Sequence, residues 1–185
     1  MLRTLALVLA AAAPASAQAP ELTREQPIAV GSRTIGIAEI EHWARIAARA
    51  GGGPSARVRR GEYRQAAGLL IDYRWLTGEA RALGIRLSAA RVTREFRRQV
   101  RASFRTEREF RRYLRESALT RTDLRRRVRM DLLSNRIRDR VLRGIPEGLQ
   151  QARLDEWVAD YRARWTAVTR CTPRFARAEG CSGQP

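Results

Sequence analysis

Apolar positions recur along this chain at the spacing of α-helices. Between residues 37 and 50, Ile40, Trp43, Ala44, Ala47 and Ala48 fall on one helical face. A second stripe, Ala66, Leu69, Leu70, Tyr73, Leu76, Ala80 and Leu83, predicts a helix over 62–83 with Gly84 as its stop. Gly51-Gly52-Gly53-Pro54 breaks the chain between these two. Ser88 caps a third helix that carries Val92, Phe96, Val100 and Phe104. Thr106 stands three residues before Glu109, and Thr120 three before Asp123, which is the spacing of reciprocal N-capping. These caps open a fourth helix, with Phe110, Tyr113 and Leu114, and a fifth reaching to about residue 143.

The fifth helix carries two stripes. Leu124, Val128 and Leu132 form one; Met130, Leu133, Ile137 and Val141 form the other. A helix apolar on two sides is expected to pack against neighbours on both. Gly144-Ile145-Pro146-Glu147-Gly148 ends it. A last helix over 150–170 follows, with Leu154, Trp157, Val158, Tyr161, Trp165 and Val168 along one side. Extended structure is expected only near 28–35, with Gly31-Ser32 as its turn. The pattern therefore predicts an all-α bundle of about six helices, with a short extended N-terminal segment and negligible sheet.

The N-terminus is written differently. One positive charge at Arg3 precedes an unbroken apolar run from Leu5 to Ala13, then Pro14. Ala15-Ser16-Ala17 and Ala17-Gln18-Ala19 both present the small-x-small pattern of a signal-peptidase site. Residues 1–19 are expected to be a secretory signal peptide, cleaved after Ala17 or Ala19. The apolar run is too short to span a bilayer. The mature chain is expected to be periplasmic or otherwise extracytoplasmic, with no transmembrane span.

Export changes the meaning of composition. The formal net charge is +18, and all 37 basic residues are Arg. Absence of Lys points to a compositional bias of the whole coding sequence. Runs such as Arg97-Arg98, Arg111-Arg112 and Arg125-Arg126-Arg127 are expected to be solvated helix faces, with no nucleic-acid partner. The positive field still favours acidic partners, an anionic envelope surface among them. Cys171 and Cys181 form a close, even pair in an exported chain, which favours a disulfide. They do not suit a zinc site, which needs four ligands.

Catalytic chemistry finds little footing. His42, the sole histidine, lies beside Trp43 and is expected to be structural or solvated. Asp72, Glu79 and Asp131 sit in Arg-rich helices where ion pairing is the default. No phosphate-binding loop, cofactor motif or metal-ligand cluster is present in the pattern.

Three stretches carry a family resemblance. They are Ile28-Ala29-Val30-Gly31 through Ile35 with Ala38-Glu39-Ile40; Leu69-Leu70-Ile71-Asp72 through Trp75-Leu76, Glu79-Ala80 and Leu83-Gly84-Ile85; and Phe110 to Leu114 with Asp123-Leu124 and Val128 to Leu133. Their order resembles the N-terminal chaperone domain of SurA/PrsA-type periplasmic foldases. The C-terminal helix and cysteine pair resemble the tail that follows the isomerase domain in some members.

The interval between residues 143 and 150 leaves no room for the parvulin-type prolyl isomerase domain of that family, and its active-site histidines are missing. The resemblance implies a chaperone domain over 20–148, completed by a returning helix over 149–170 and a disulfide-closed tail over 171–185. It implies binding of unfolded or translocating polypeptides without catalysis. An envelope adaptor using the same fold to dock one partner is the alternative, and an isomerase-family member that has lost its activity is a third. Trp43, Trp75, Phe96, Tyr113, Trp157 and Trp165, with Phe104, are the aromatic pool for a peptide groove, although helical spacing puts most such residues in a core.

Overall fold

A computed structural model describes residues 19–53 and 55–181. The expected export signal lies, apart from Ala19, outside them. Among the described residues the fold is the expected all-α bundle: α1 (Ile37–Gly52), α2 (Arg60–Ala82), α3 (Ala89–Ser103), α4 (Glu107–Ser117), α5 (Arg121–Val141) and α6 (Glu147–Ala167). A small sheet joins β1 (Ile28–Val30), β2 (Arg33–Ile35) and β3 (Thr169–Cys171), followed by a 3₁₀ turn at Pro173–Phe175.

The caps act as their spacing implies. Ser88 Oγ accepts from the Arg91 N–H at 3.3 Å. Thr106 Oγ1 accepts from the Glu109 N–H at 3.2 Å, and Glu109 Oε2 accepts in return from the Thr106 N–H at 3.3 Å. Thr120 and Asp123 make the same exchange at 3.1 and 2.7 Å. Each exchange satisfies backbone donors that a helix start leaves orphaned.

The two stripes of α5 face two separate clusters. Val128, flanked by Leu124 and Leu132, packs with Val92, Phe96 and Phe110 of α3 and α4. Leu133 and Ile137, flanked by Val141, pack with Ala80 of α2 and Trp157 of α6. The main core lies between the sheet, α1 and α2: Ile28, Ile35, Ile40, Trp43, Leu70, Ile71 and Trp75 are all buried there. Helix α6 returns across α2 and α5 as expected, but none of its residues is fully buried.

The C-terminus holds two features that helical periodicity does not show. The last helix stops at Ala167 and the chain turns into β3, which pairs antiparallel with β1 (Ile28 opposite Cys171, Val30 opposite Thr169). Sheet order is β2-β1-β3, so the N-terminal hairpin gains a third strand from the far end of the chain. The segment after Cys171 is also more than a closed tail. Phe175 and Ala178 are buried in the main core, and Gly180 lies so close to α2 that an added Cβ would stand 2.6 Å from Ile71 Cγ2. The Cys171–Cys181 disulfide, with Cα atoms 5.8 Å apart, closes this segment onto the core.

Candidate peptide-binding groove

The aromatic residues proposed from sequence do not converge. Trp43, Trp75 and Phe96 are only 3–4% exposed, so they are core and cannot wall an open groove. Their burial follows from the inward stripes that carry them. Tyr113 is 37% exposed and packs on Phe104, with ring centres 5.2 Å apart. Trp157 and Trp165 are half-buried on α6. Of the six, Trp165 borders an open concavity.

That concavity is a groove of about 940 Å³. The β1–β2 turn forms one side, with Val30 and Arg33. The second half of α2 and the loop after it supply Tyr73, Arg81, Ile85 and Leu87. Arg129 and Leu133 come from α5, and Trp165 from the end of α6. Apolar side chains and arginines thus line one space together. Arg74, also on the lining, is committed elsewhere: it donates to the Thr34 carbonyl at 3.3 Å and lies 3.6 Å from Glu39. Arg33, Arg81 and Arg129 form no ion pair among the described residues, so the rim carries uncompensated positive charge.

Trp165 is held by a glycine. Its ring lies over Gly78, near the C-terminal end of α2, where any Cβ would overlap it. Its indole N–H donates to Glu79 Oε2 at 2.8 Å, and Arg164 donates to the other oxygen at 3.1 Å. Glu79 is buried, so this pairing offsets the cost of desolvating a charge. The Trp165 carbonyl accepts from Thr169 Oγ1 at 2.7 Å, and Thr169 Oγ1 accepts from Trp75 Nε1 at 2.8 Å. One chain of hydrogen bonds therefore links α2, the end of α6 and β3 behind the groove. Away from the groove lining, Tyr161 of α6 stacks on Trp157 at 4.9 Å and stands edge-on to the core residue Trp75 at 6.0 Å. Burial first, then the charges of Asp72 and Glu79, raise its phenol well above the usual range, so it stays neutral.

The residues missed from sequence are Gly78, Glu79 as an anchor, and the basic rim. A glycine inside an otherwise regular helix was the available signal, because it costs helix stability unless packing requires it.

His42 is tied to Asp123, with Nε2 at 3.0 Å from Oδ2. The same oxygen accepts the Thr120 hydroxyl at 2.6 Å. The threonine proton is directed at the carboxylate, not at the imidazole, so the three groups do not form a nucleophile and base. They join α1 to the cap of α5. Burial alone would raise the Asp123 carboxyl; the hydrogen bonds from Thr120 and His42 outweigh it and hold it below its ordinary value. Among the described residues no cluster of three or more His, Cys, Asp or Glu could hold a metal, and no helix is long and apolar enough to cross a membrane. No protein-family model, curated protein or solved structure matches this chain.

Proposed function

We propose that this is an exported, chaperone-like protein that holds extended segments of unfolded or translocating polypeptide and carries no prolyl isomerase domain. The groove between the β1–β2 turn, α2, α5 and Trp165 supports this reading best. Its size suits a few residues of an extended chain, and its mixed lining suits apolar side chains in the floor with acidic ones at the rim. The disulfide and the resemblance of the helix order to SurA/PrsA-type chaperone domains agree with export.

The test is suppression of aggregation of an unfolded substrate, together with fluorescence anisotropy of an acidic, apolar, extended peptide. Suppression is expected at stoichiometric protein. The double variant Arg33→Glu, Arg81→Glu should weaken peptide binding at least about tenfold, equivalent to the loss of about 1.4 kcal/mol. Absence of both suppression and peptide binding would sink the proposal. Capture of one folded partner, insensitive to competing unfolded peptide, would replace it with the envelope-adaptor reading. A proline-limited refolding reaction should proceed at its uncatalysed rate in the presence of the protein.

A further inference from the structure

A second concavity, of about 590 Å³, lies at the other end of α2, against the disulfide-closed segment. Its wall is unusual in charge. Arg59, Arg60 and Arg64 come from the start of α2, and Arg174 and Arg177 come from the loop between the two cysteines. Val58, Tyr63, Pro173, Phe175 and Ala176 supply the rest, so no carboxylate lines the space. None of the five arginines takes part in an ion pair among the described residues.

The acids closest in sequence to its walls, Glu62 and Glu179, already have partners. Glu62 accepts from the Arg59 N–H at 2.7 Å, and Glu179 pairs with Arg162 at 3.4 Å. Like charges gathered without counter-charge repel one another and cost folding free energy. Two further features mark the cluster as built. Arg174 is laid against two rings, its guanidinium carbon 5.4 Å from the centre of Tyr63 and 5.5 Å from that of Phe175, which restricts where its fork of donors lies. Arg64 Nε is the one buried side-chain polar atom among the described residues that has no hydrogen-bond partner. That donor belongs to a half-buried side chain on the cavity wall, where an acceptor entering the space could meet it.

We propose that this cavity binds a phosphate-bearing group of at least two negative charges, a phosphomonoester or a diphosphate. Guanidinium forks match phosphate oxygens in pairs, and only a group with several oxygens can engage forks arriving from both α2 and the disulfide loop. A single carboxylate has two oxygens and one charge, and would leave most of the cluster uncompensated. The site is independent of the peptide groove, with which it shares no lining residue.

The test uses the purified protein with its disulfide intact, and two probes: inorganic pyrophosphate, followed by calorimetry, and phosphatidylcholine vesicles with and without phosphatidic acid, followed by co-sedimentation. Saturable one-to-one binding of pyrophosphate is expected. The exposed triple variant Arg60→Gln, Arg174→Gln, Arg177→Gln should weaken it at least about tenfold. The control Arg97→Gln, Arg101→Gln, which removes charge from α3, should change it less than about twofold. The single variant Arg177→Gln, which leaves the ring-stacked Arg174 in place, should lose several-fold in affinity with an unchanged melting temperature.

Binding of pyrophosphate but not of vesicles identifies a soluble phosphorylated ligand. Binding of phosphatidic acid vesicles that is lost in the triple variant identifies a lipid headgroup. Either result supports the site. Failure of both probes would overturn it, as would equal weakening by the α3 control. A tetraglutamate peptide binding as tightly as pyrophosphate would overturn the assignment to phosphate.

Discussion

Gly78 shows how one residue without a side chain can position one with the largest. The Trp165 ring occupies the space a Cβ would take. Gly78→Ala should gain about 1 kcal/mol of helix propensity and lose about 2–3 kcal/mol to overpacking, for a net loss of about 1–2 kcal/mol. Urea unfolding would show that loss, and near-UV circular dichroism would show the displaced indole; an unchanged midpoint with an unchanged aromatic spectrum would refute the assignment.

Asp123 makes a prediction of a different kind. Its carboxyl is held below the ordinary value of 3.8, so its stabilising contribution is complete above that value and disappears as pH falls through the lower, folded one. The stability difference between the wild type and Asp123→Asn should therefore be largest above about pH 5 and shrink in acid. A difference that grows below pH 4 would contradict it. At this scale the sequence revealed the caps, because Thr120 and Asp123 are three residues apart. It did not reveal the contact of Asp123 with His42, because that depends on how α1 and α5 cross.

Helices were legible because their information is local. Cap spacing placed the starts of α3, α4 and α5, and the paired stripes on α5 foretold its two neighbours. Strand β3 was not legible. Thr169-Arg170-Cys171 is too short to show alternation, and its partner β1 lies at the other end of the chain. The same holds for Phe175 and Ala178, which enter the core only because β3 and the disulfide carry the chain back. The groove is illegible for this reason too, since its walls come from the hairpin, α2, α5 and α6.

The disulfide spans a sequence separation of 10, and closing a loop of that size should stabilise the fold by about 3 kcal/mol through the unfolded chain. Denaturant unfolding with and without reductant should show a loss of that order. It should also show earlier exposure of Trp75, which Gly180 covers at 3.0 Å from an added Cβ. Loss of less than about 0.5 kcal/mol would mean that the segment is held by packing alone.

At the scale of the molecule, a charge of +18 raises the question of whether its basic surfaces act together or separately. Helix α2 answers it as a ruler. Arg64 borders the phosphate cavity and Arg81 borders the groove. They are seventeen residues apart on one helix, about 25 Å at 1.5 Å per residue. The screening length at physiological ionic strength is about 8 Å, so charges at one site are nearly invisible from the other. At about 0.01 M salt that length grows to about 30 Å and exceeds the spacing.

Charge reversal at Arg33 and Arg81 should therefore leave pyrophosphate affinity within about twofold at 0.15 M salt and weaken it visibly at 0.01 M. The reciprocal measurement, peptide binding by the triple arginine variant, should behave in the same way. Strong coupling at 0.15 M would require a mechanical link along α2 in place of an electrostatic one. That link would appear as a change in Trp165 fluorescence when pyrophosphate binds at the far end of the helix.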